Sequence, residues 1–138
     1  MFIKAVLKSF SEFLLMLITP VSTLTNFLGY NSILKKYYKS GQLPSVKYGF
    51  YGDKLTKDTV SLEHLKPHSK GGHTNLSNLV LASREQNTKR GNDDLRLHFN
   101  PETAQRYLQQ FIGIKLKRFD GNDYVQGILK TLNKLLCN

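Results

Sequence analysis

A chain of 138 residues, 40% hydrophobic and 22% charged, is long and apolar enough for one packed domain with an appended arm, and its composition excludes wholesale disorder. A formal net charge of +10 and a pI near 9.8 point to a polyanionic partner, nucleic acid before an anionic membrane surface. The single cysteine, Cys137, excludes an intrachain disulfide framework and a cysteine-based zinc site, which suits a reducing compartment.

The chain opens on "MFIKAVLKSFSEFLLMLITP". Ile3, Leu7, Phe10, Leu14 and Leu17 recur at steps of three and four, the pattern of an amphipathic helix that Pro20 should stop. Such a helix packs on the domain or lies on a partner or membrane surface. Glu12 interrupts the apolar run, and no small-residue cleavage site follows, which argues against a signal peptide. The run also falls short of the roughly 20 residues that a membrane span needs.

A second helix is expected from Asn31 as cap to Ser40, with Gly41 as its stop. It carries "KKYYK", in which Lys35, Lys36 and Lys39 flank two tyrosines. That pattern suits contact with a nucleic-acid backbone and base stacking, or else an ordinary solvated face. Residues 41–58, with Pro44 and the Gly52-Asp53 pair, read as a loop and hairpin. "TVSLEHL" has strand composition, with Val60, Leu62 and His64 in alternation.

A polar glycine loop with His68, Lys70 and His73 follows, then a short second strand, "NLVLA". Ser83 and Gln86 stand at capping-box spacing, so a helix should start at Ser83, pass through Asn87 and stop near Gly91. Asn100, Pro101 and Glu102 mark another helix start. The last helix, "DYVQGILKTLNKLL", gathers Val125, Ile128, Leu129, Leu132 and Leu136 on one face. The fold class expected is α+β, a small strand-loop-strand-helix unit among flanking helices. Its segments are 1–45 (helical), 46–96 (the unit itself) and 97–138 (helical).

That unit brings a strand end and a helix face together, and so can juxtapose Glu63, His64 and Asn87. A carboxylate and an amide oxygen are hard ligands suited to Mg²⁺, which keeps several waters. A histidine nearby can act as a general base near neutrality. Metal, base and a basic surface together suit phosphodiester cleavage. Adjacent residues of a regular strand point to opposite faces, however. Glu63 and His64 serve one site only if the strand ends or twists there, or if metal and base flank the phosphate from different sides.

The strings "EHLKPHSKGG", "NLSNLVLA" and "QNTKRGN" resemble, in order, the ββα-metal motif of the HNH nuclease family, over about residues 48–95. The resemblance implies His64 as the base and Glu63 and Asn87 as ligands of one divalent ion, Mg²⁺ first and Mn²⁺ second. It implies that Asn78 orients the loop or the histidine, and that Lys89 and Arg90, with Lys70 in the loop, meet phosphate. The implied activity is that of a metal-dependent DNA endonuclease, with a partner protein able to supply specificity. A cytoplasmic or nucleoid-associated location in a bacterial or phage setting goes with it. Many relatives carry two cysteine pairs for a structural zinc. The matching places here look like Tyr48, Tyr51, Ser83 and Gln86, so no structural zinc is expected, and packing around Tyr48, Phe50 and Tyr51 should replace it. The competing readings are a nucleic-acid-binding module that keeps the ββα shape without cleaving, and a virion or membrane component tethered through the first helix.

Overall fold

The computed structural model describes residues 33–137. The helix expected before Pro20 and the cap expected at Asn31 lie outside the described residues. Helix α1, Ile33–Lys39, buries Ile33 and Leu34 and gives way to Gly41 at φ +83°, as the sequence suggests. The turn-rich stretch after it contains one isolated bridge, Tyr48 to Lys54, consistent with a rudimentary hairpin.

Strands β1, Val60–His64, and β2, Leu79–Ser83, pair antiparallel, with Glu63 opposite Val80 and His64 opposite Leu79. Between them the glycine loop makes two short 3₁₀ turns, His68–Lys70 and Leu76–Asn78. Helix α2, Arg84–Arg90, follows β2 directly. The Ser83 hydroxyl accepts from the Gln86 amide at 3.2 Å, which is the predicted cap. The unit is therefore ββα, and the mixed α+β class expected from the sequence is what the chain adopts.

Helix α3, Pro101–Gln109, starts where Asn100 accepts from the amides of Glu102 and Thr103. Helix α4, Gly121–Leu136, starts two residues before the expected Asp123, because the Asp120 carboxylate caps it by accepting from the Asp123 amide. Its inner face is the predicted one, with Val125, Ile128, Leu132 and Leu136 buried and Leu129 half-buried. A two-stranded hairpin that the sequence reading missed, β3 (Lys115–Leu116) and β4 (Phe119–Asp120), joins the two helices. Strands this short carry no legible alternation.

Strand β2 shows why the flanking helices are needed. All of its residues are buried, so the edge turned away from β1 must find partners without water. Two tyrosines supply them. The Leu81 amide donates to the Tyr107 hydroxyl at 2.9 Å, and the Tyr124 hydroxyl donates to the Leu79 carbonyl at 2.7 Å. The two phenols are 2.8 Å apart, so Tyr107 donates to Tyr124 and the chain of donors closes on the strand. Burial pushes both phenols well above the usual tyrosine range, which keeps them as neutral donors. The Leu81 carbonyl accepts from the Phe50 amide, and the Ser83 amide donates to the Asp53 carboxylate.

The rings beneath this edge form an aromatic cluster. Phe111 lies 5.0 Å from Tyr107 and 4.9 Å from Tyr124, and Phe119 lies 5.4 Å from Tyr124. Leu34, Val60, Leu81, Leu108 and Ile128 belong to the same continuous core. The ββα unit thus rests on residues from both sides of it in sequence, as a motif too small to bury a core of its own requires. No helix among the described residues is long and apolar enough to cross a membrane.

Candidate active site

The two faces of β1 do different work. Ser61 and Glu63 turn toward α2. There the Asn87 amide nitrogen donates to the Ser61 hydroxyl at 3.1 Å and to the Leu62 carbonyl at 2.9 Å. Arg90, three residues on and on the same side of α2, reaches Glu63. This reverses the expected burial pattern. Glu63 is 4% exposed, while Leu62 is only half-buried, because α2 and its guanidinium cover the Glu63 face.

Arg90 was expected at phosphate, and its burial corrects that expectation. It is 2% exposed, and its donors are spent inside the protein. Nε bonds the Asp93 carbonyl at 3.0 Å, Nη1 bonds Glu63 Oε2 at 3.1 Å and the His64 carbonyl at 2.8 Å, and Nη2 bonds the Leu65 carbonyl at 2.9 Å. The Tyr51 hydroxyl donates to the same Glu63 Oε2 and lies 3.3 Å from Nη1. Successive carbonyls of a regular strand point to opposite sides. Those of His64 and Leu65 end on one guanidinium, so the pleat breaks there and β1 stops. Glu63 is left on the α2 side of the strand end and His64 on the glycine-loop side.

His64 Nε2 lies 2.8 Å from the Thr74 hydroxyl, and its ring centroid is 6.2 Å from that of His68. Partial burial lowers the His64 pKa below the ordinary histidine value, and the charge of His68 lowers it further, against a smaller opposing pull from Glu63. The neutral imidazole is the form so favoured. Thr74 and His68 escaped the sequence reading as partners of His64. Neither falls on a periodic face, and only the folded loop brings them there.

The loop itself is held by Asn78. Its side-chain oxygen accepts from the Lys66 amide at 2.9 Å, and its nitrogen donates to the carbonyls of Lys66 at 3.0 Å and His73 at 2.8 Å. Gly72 packs so closely under this clamp that a Cβ there would meet the Lys66 carbonyl oxygen at 1.9 Å, which is why a glycine stands at this place. Of the two roles left open for Asn78, the observed bonds are those of loop orientation.

For a divalent ion the relevant atoms are Glu63 Oε1 and Asn87 Oδ1. Among the described residues neither has a hydrogen-bond partner, and neither is sealed from solvent. Asn87 bonds the carbonyl of the peptide that joins Leu62 to Glu63, so both oxygens sit at the same β1–α2 seam. Among the described residues no three His, Cys, Asp or Glu side chains gather as a ligand set. A carboxylate and an amide oxygen are the donor chemistry of an ion that takes few protein ligands and otherwise keeps water, as Mg²⁺ does.

The remaining basic residues lie at the surface. Lys36, Lys39, Lys70 and Lys89 are exposed and Lys35 is half-buried. Tyr37 of "KKYYK" packs on Phe119 and accepts from the Arg118 amide, so it is a core-side residue and no platform for a base. In the stretch that stands where zinc-binding cysteines were not expected, Phe50 is buried against Tyr51 and Tyr107, in keeping with the expected aromatic packing. Tyr48 departs from it: the ring is 40% exposed, with the Arg106 guanidinium 5.1 Å from its centroid. The tie between this stretch and the start of α2 is instead the bond from the Ser83 amide to Asp53.

The unit has the order strand, loop, strand, helix, with Glu63-His64 at one strand end and Asn87 facing that strand from the helix. Residues 51–94 match the family described as HNH endonuclease, and the helices on either side of this segment lie beyond the match. The match connects the module with nucleic-acid chemistry. No curated protein and no solved structure matches the chain.

Proposed function

We propose that the protein is a metal-dependent endonuclease that hydrolyses phosphodiester bonds in DNA, with His64 as general base and Glu63 and Asn87 as ligands of one Mg²⁺ or Mn²⁺ ion. The observation that carries this reading is the seam between β1 and α2, where Glu63 Oε1 and Asn87 Oδ1 have no hydrogen-bond partner among the described residues, beside a strand that ends on a histidine. The ion, when bound, would offset negative charge on the phosphate and the leaving oxygen. His64 would take a proton from the attacking water. In this reading Thr74 would accept from Nε2–H, which would leave the lone pair on Nδ1 to take the proton. The water oxygen bonds phosphorus, the bond from phosphorus to the leaving oxygen breaks, that oxygen takes a proton from solvent, and the proton on His64 passes to solvent. Asn78 holds the loop that carries Thr74, and the exposed Lys70 and Lys89 offer charge to neighbouring phosphates.

A second reading has one observation in its favour. The buried Arg90 guanidinium already neutralises Glu63, as a module that binds nucleic acid without cleaving it would permit. Supercoiled plasmid incubated with the full chain, with Mg²⁺ or with EDTA, separates the two. Nicking or linearisation that needs the ion, together with a His64→Ala variant that binds but cuts about 10²- to 10⁴-fold more slowly, is the expected result. Plasmid that is bound but never cut, in Mg²⁺ or Mn²⁺, would leave the binding module as the better account.

A further inference from the structure

A cavity of about 390 Å³ lies between the glycine loop and the C-terminal half of α4, outside the β1–α2 seam. Lys66, after β1, and Lys134, in α4, both line it, 68 residues apart in sequence (134 − 66). Neither lysine makes an ion pair among the described residues. Ser77, Thr131 and His73 also line it, and among the described residues no Asp or Glu does. Two lysines without an ion pair, beside polar neutral residues and no lining acid among the described residues, suit an anion with several acceptor oxygens.

The wall is also fixed in advance. Asn78 clamps the backbone of Lys66 and His73, and the Gly72 amide donates to the Pro67 carbonyl. A site whose shape does not have to form on binding loses less to ordering. Its position is equally specific. Lys66 follows His64 by two residues, and His73 precedes Thr74, the hydrogen-bond partner of His64 Nε2.

We propose that this cavity is a phosphate subsite, with Lys66 and Lys134 as its cations, and that its occupant is a backbone phosphate of the nucleic-acid strand that runs past His64. The choice of a strand phosphate over a free one rests on the nucleic-acid reading above. It follows from the loop that the cavity shares with His64, and from the +10 charge, which favours a polyanion over a small ion. Lys134 belongs to α4, beyond the segment that matches the nuclease family, so the C-terminal helix contributes to substrate binding as well as to the core.

The test measures binding alone, in EDTA, so that it stands apart from cleavage. A short fluorescent DNA duplex is titrated into the full chain, its Lys134→Gln variant and its Lys66→Gln variant over a range of salt. Loss of one neutralised phosphate lowers the log-log salt slope by about 0.9, and a drop of up to that size is expected for each variant. In parallel, amide spectra are followed as inorganic phosphate or duplex is added. Both ligands should move the Gly72, His73 and Thr131 amides of the parent chain, and phosphate should leave them in place in Lys134→Gln. Slopes equal to that of the parent chain in both variants would overturn the subsite. Phosphate that moves these amides while bound duplex does not would assign the cavity to a free phosphate and overturn the strand occupant. A chain that binds duplex through this cavity and never cuts it leaves the subsite standing while the endonuclease reading fails.

Discussion

The guanidinium of Arg90 holds the main-chain carbonyl of His64 at 2.8 Å. The same group pairs with Glu63 and bonds the Leu65 carbonyl, so one side chain at the end of α2 fixes both members of the Glu-His pair and the point where their strand stops. The geometric difficulty posed by two adjacent strand residues is resolved by this contact. Glu63 and His64 flank a strand end and do not share a face.

Arg90→Met should therefore destabilise the fold by about 3–5 kcal/mol, the usual cost of removing one partner of a buried pair, because Glu63 and the carbonyls of His64, Leu65 and Asp93 lose the guanidinium at once. Lys89→Gln, one residue earlier and exposed, should stay within about 0.5 kcal/mol of the parent chain while it lowers the salt slope of DNA binding. Urea denaturation measures the first quantity and salt titration the second. A parent-like midpoint for Arg90→Met would contradict the structural role given to this residue.

The lowered pKa of His64 has a definite sign. The base must be neutral, so a pKa below about 6.5 keeps it competent into mildly acidic solution, and the acidic limb of kcat/KM should lie below pH 6.5. His68 is one of the two causes of the lowering, and His68→Gln should move the limb upward while burial keeps it short of the free value. Proton NMR titration of the metal-free chain checks the shift without relying on activity. For stability the unfolded chain binds the extra proton, so His64 opposes folding as the pH falls through this window and ceases to do so above it. A His64 that titrates at or above 6.5 would remove the argument.

The ends of the elements were largely legible because each is set by local chemistry. Ser83, Asn100 and Gly41 act at the places where their residue types suggest, since a cap or a left-handed turn needs only its neighbours. The strings around Glu63, His64, Asn78 and Asn87 likewise led to residues that the fold gathers around one strand end. What was not legible depends on long-range packing. Arg90 reads as a surface cation until α2 is laid against β1, and Tyr107 and Tyr124 read as plain core residues until the outer edge of β2 is seen to need them. No spacing in the sequence announces Thr74 as the partner of His64, because the loop that joins them has no period.

Tyr107→Phe tests the support of β2. The substitution keeps the ring in the aromatic cluster and removes only the oxygen that accepts from the Leu81 amide and donates to Tyr124. A buried amide is then left unsatisfied, at a cost of about 1–3 kcal/mol. Tyr124→Phe should cost a similar amount by stranding the Leu79 carbonyl, and the double variant should cost less than the sum, because the two hydroxyls form one chain of donors. Thermal denaturation of the three variants measures this. Strict additivity would mean that the hydroxyls act independently.

Asn87 is the residue at which stability and metal binding can be separated. Its nitrogen ties α2 to β1 through Ser61 and Leu62, while its oxygen is proposed to face the ion. Asn87→Ala loses both. Without metal it should be less stable by about 1 kcal/mol, the net worth of a typical hydrogen bond. With Mg²⁺ the parent chain should gain stability as the ion binds the folded state, and Asn87→Ala should gain less at any given concentration. The Mg²⁺ needed for cleavage should rise in the same variant, and the maximal rate should fall. Asn87→His offers an imidazole as a replacement ligand and should recover part of the metal response. Asn87→Asp keeps an oxygen but gives up the donor to Leu62 and places a second carboxylate beside Glu63. It should be the least stable of the three without metal and the most strongly stabilised by it, since the ion relieves the repulsion between the two acids. The discriminating measurement is the Mg²⁺-induced shift of the unfolding midpoint. If that shift is the same in the parent chain and in Asn87→Ala, the asparagine oxygen is no ligand, and Asn87 is left as a tie between the helix and the strand.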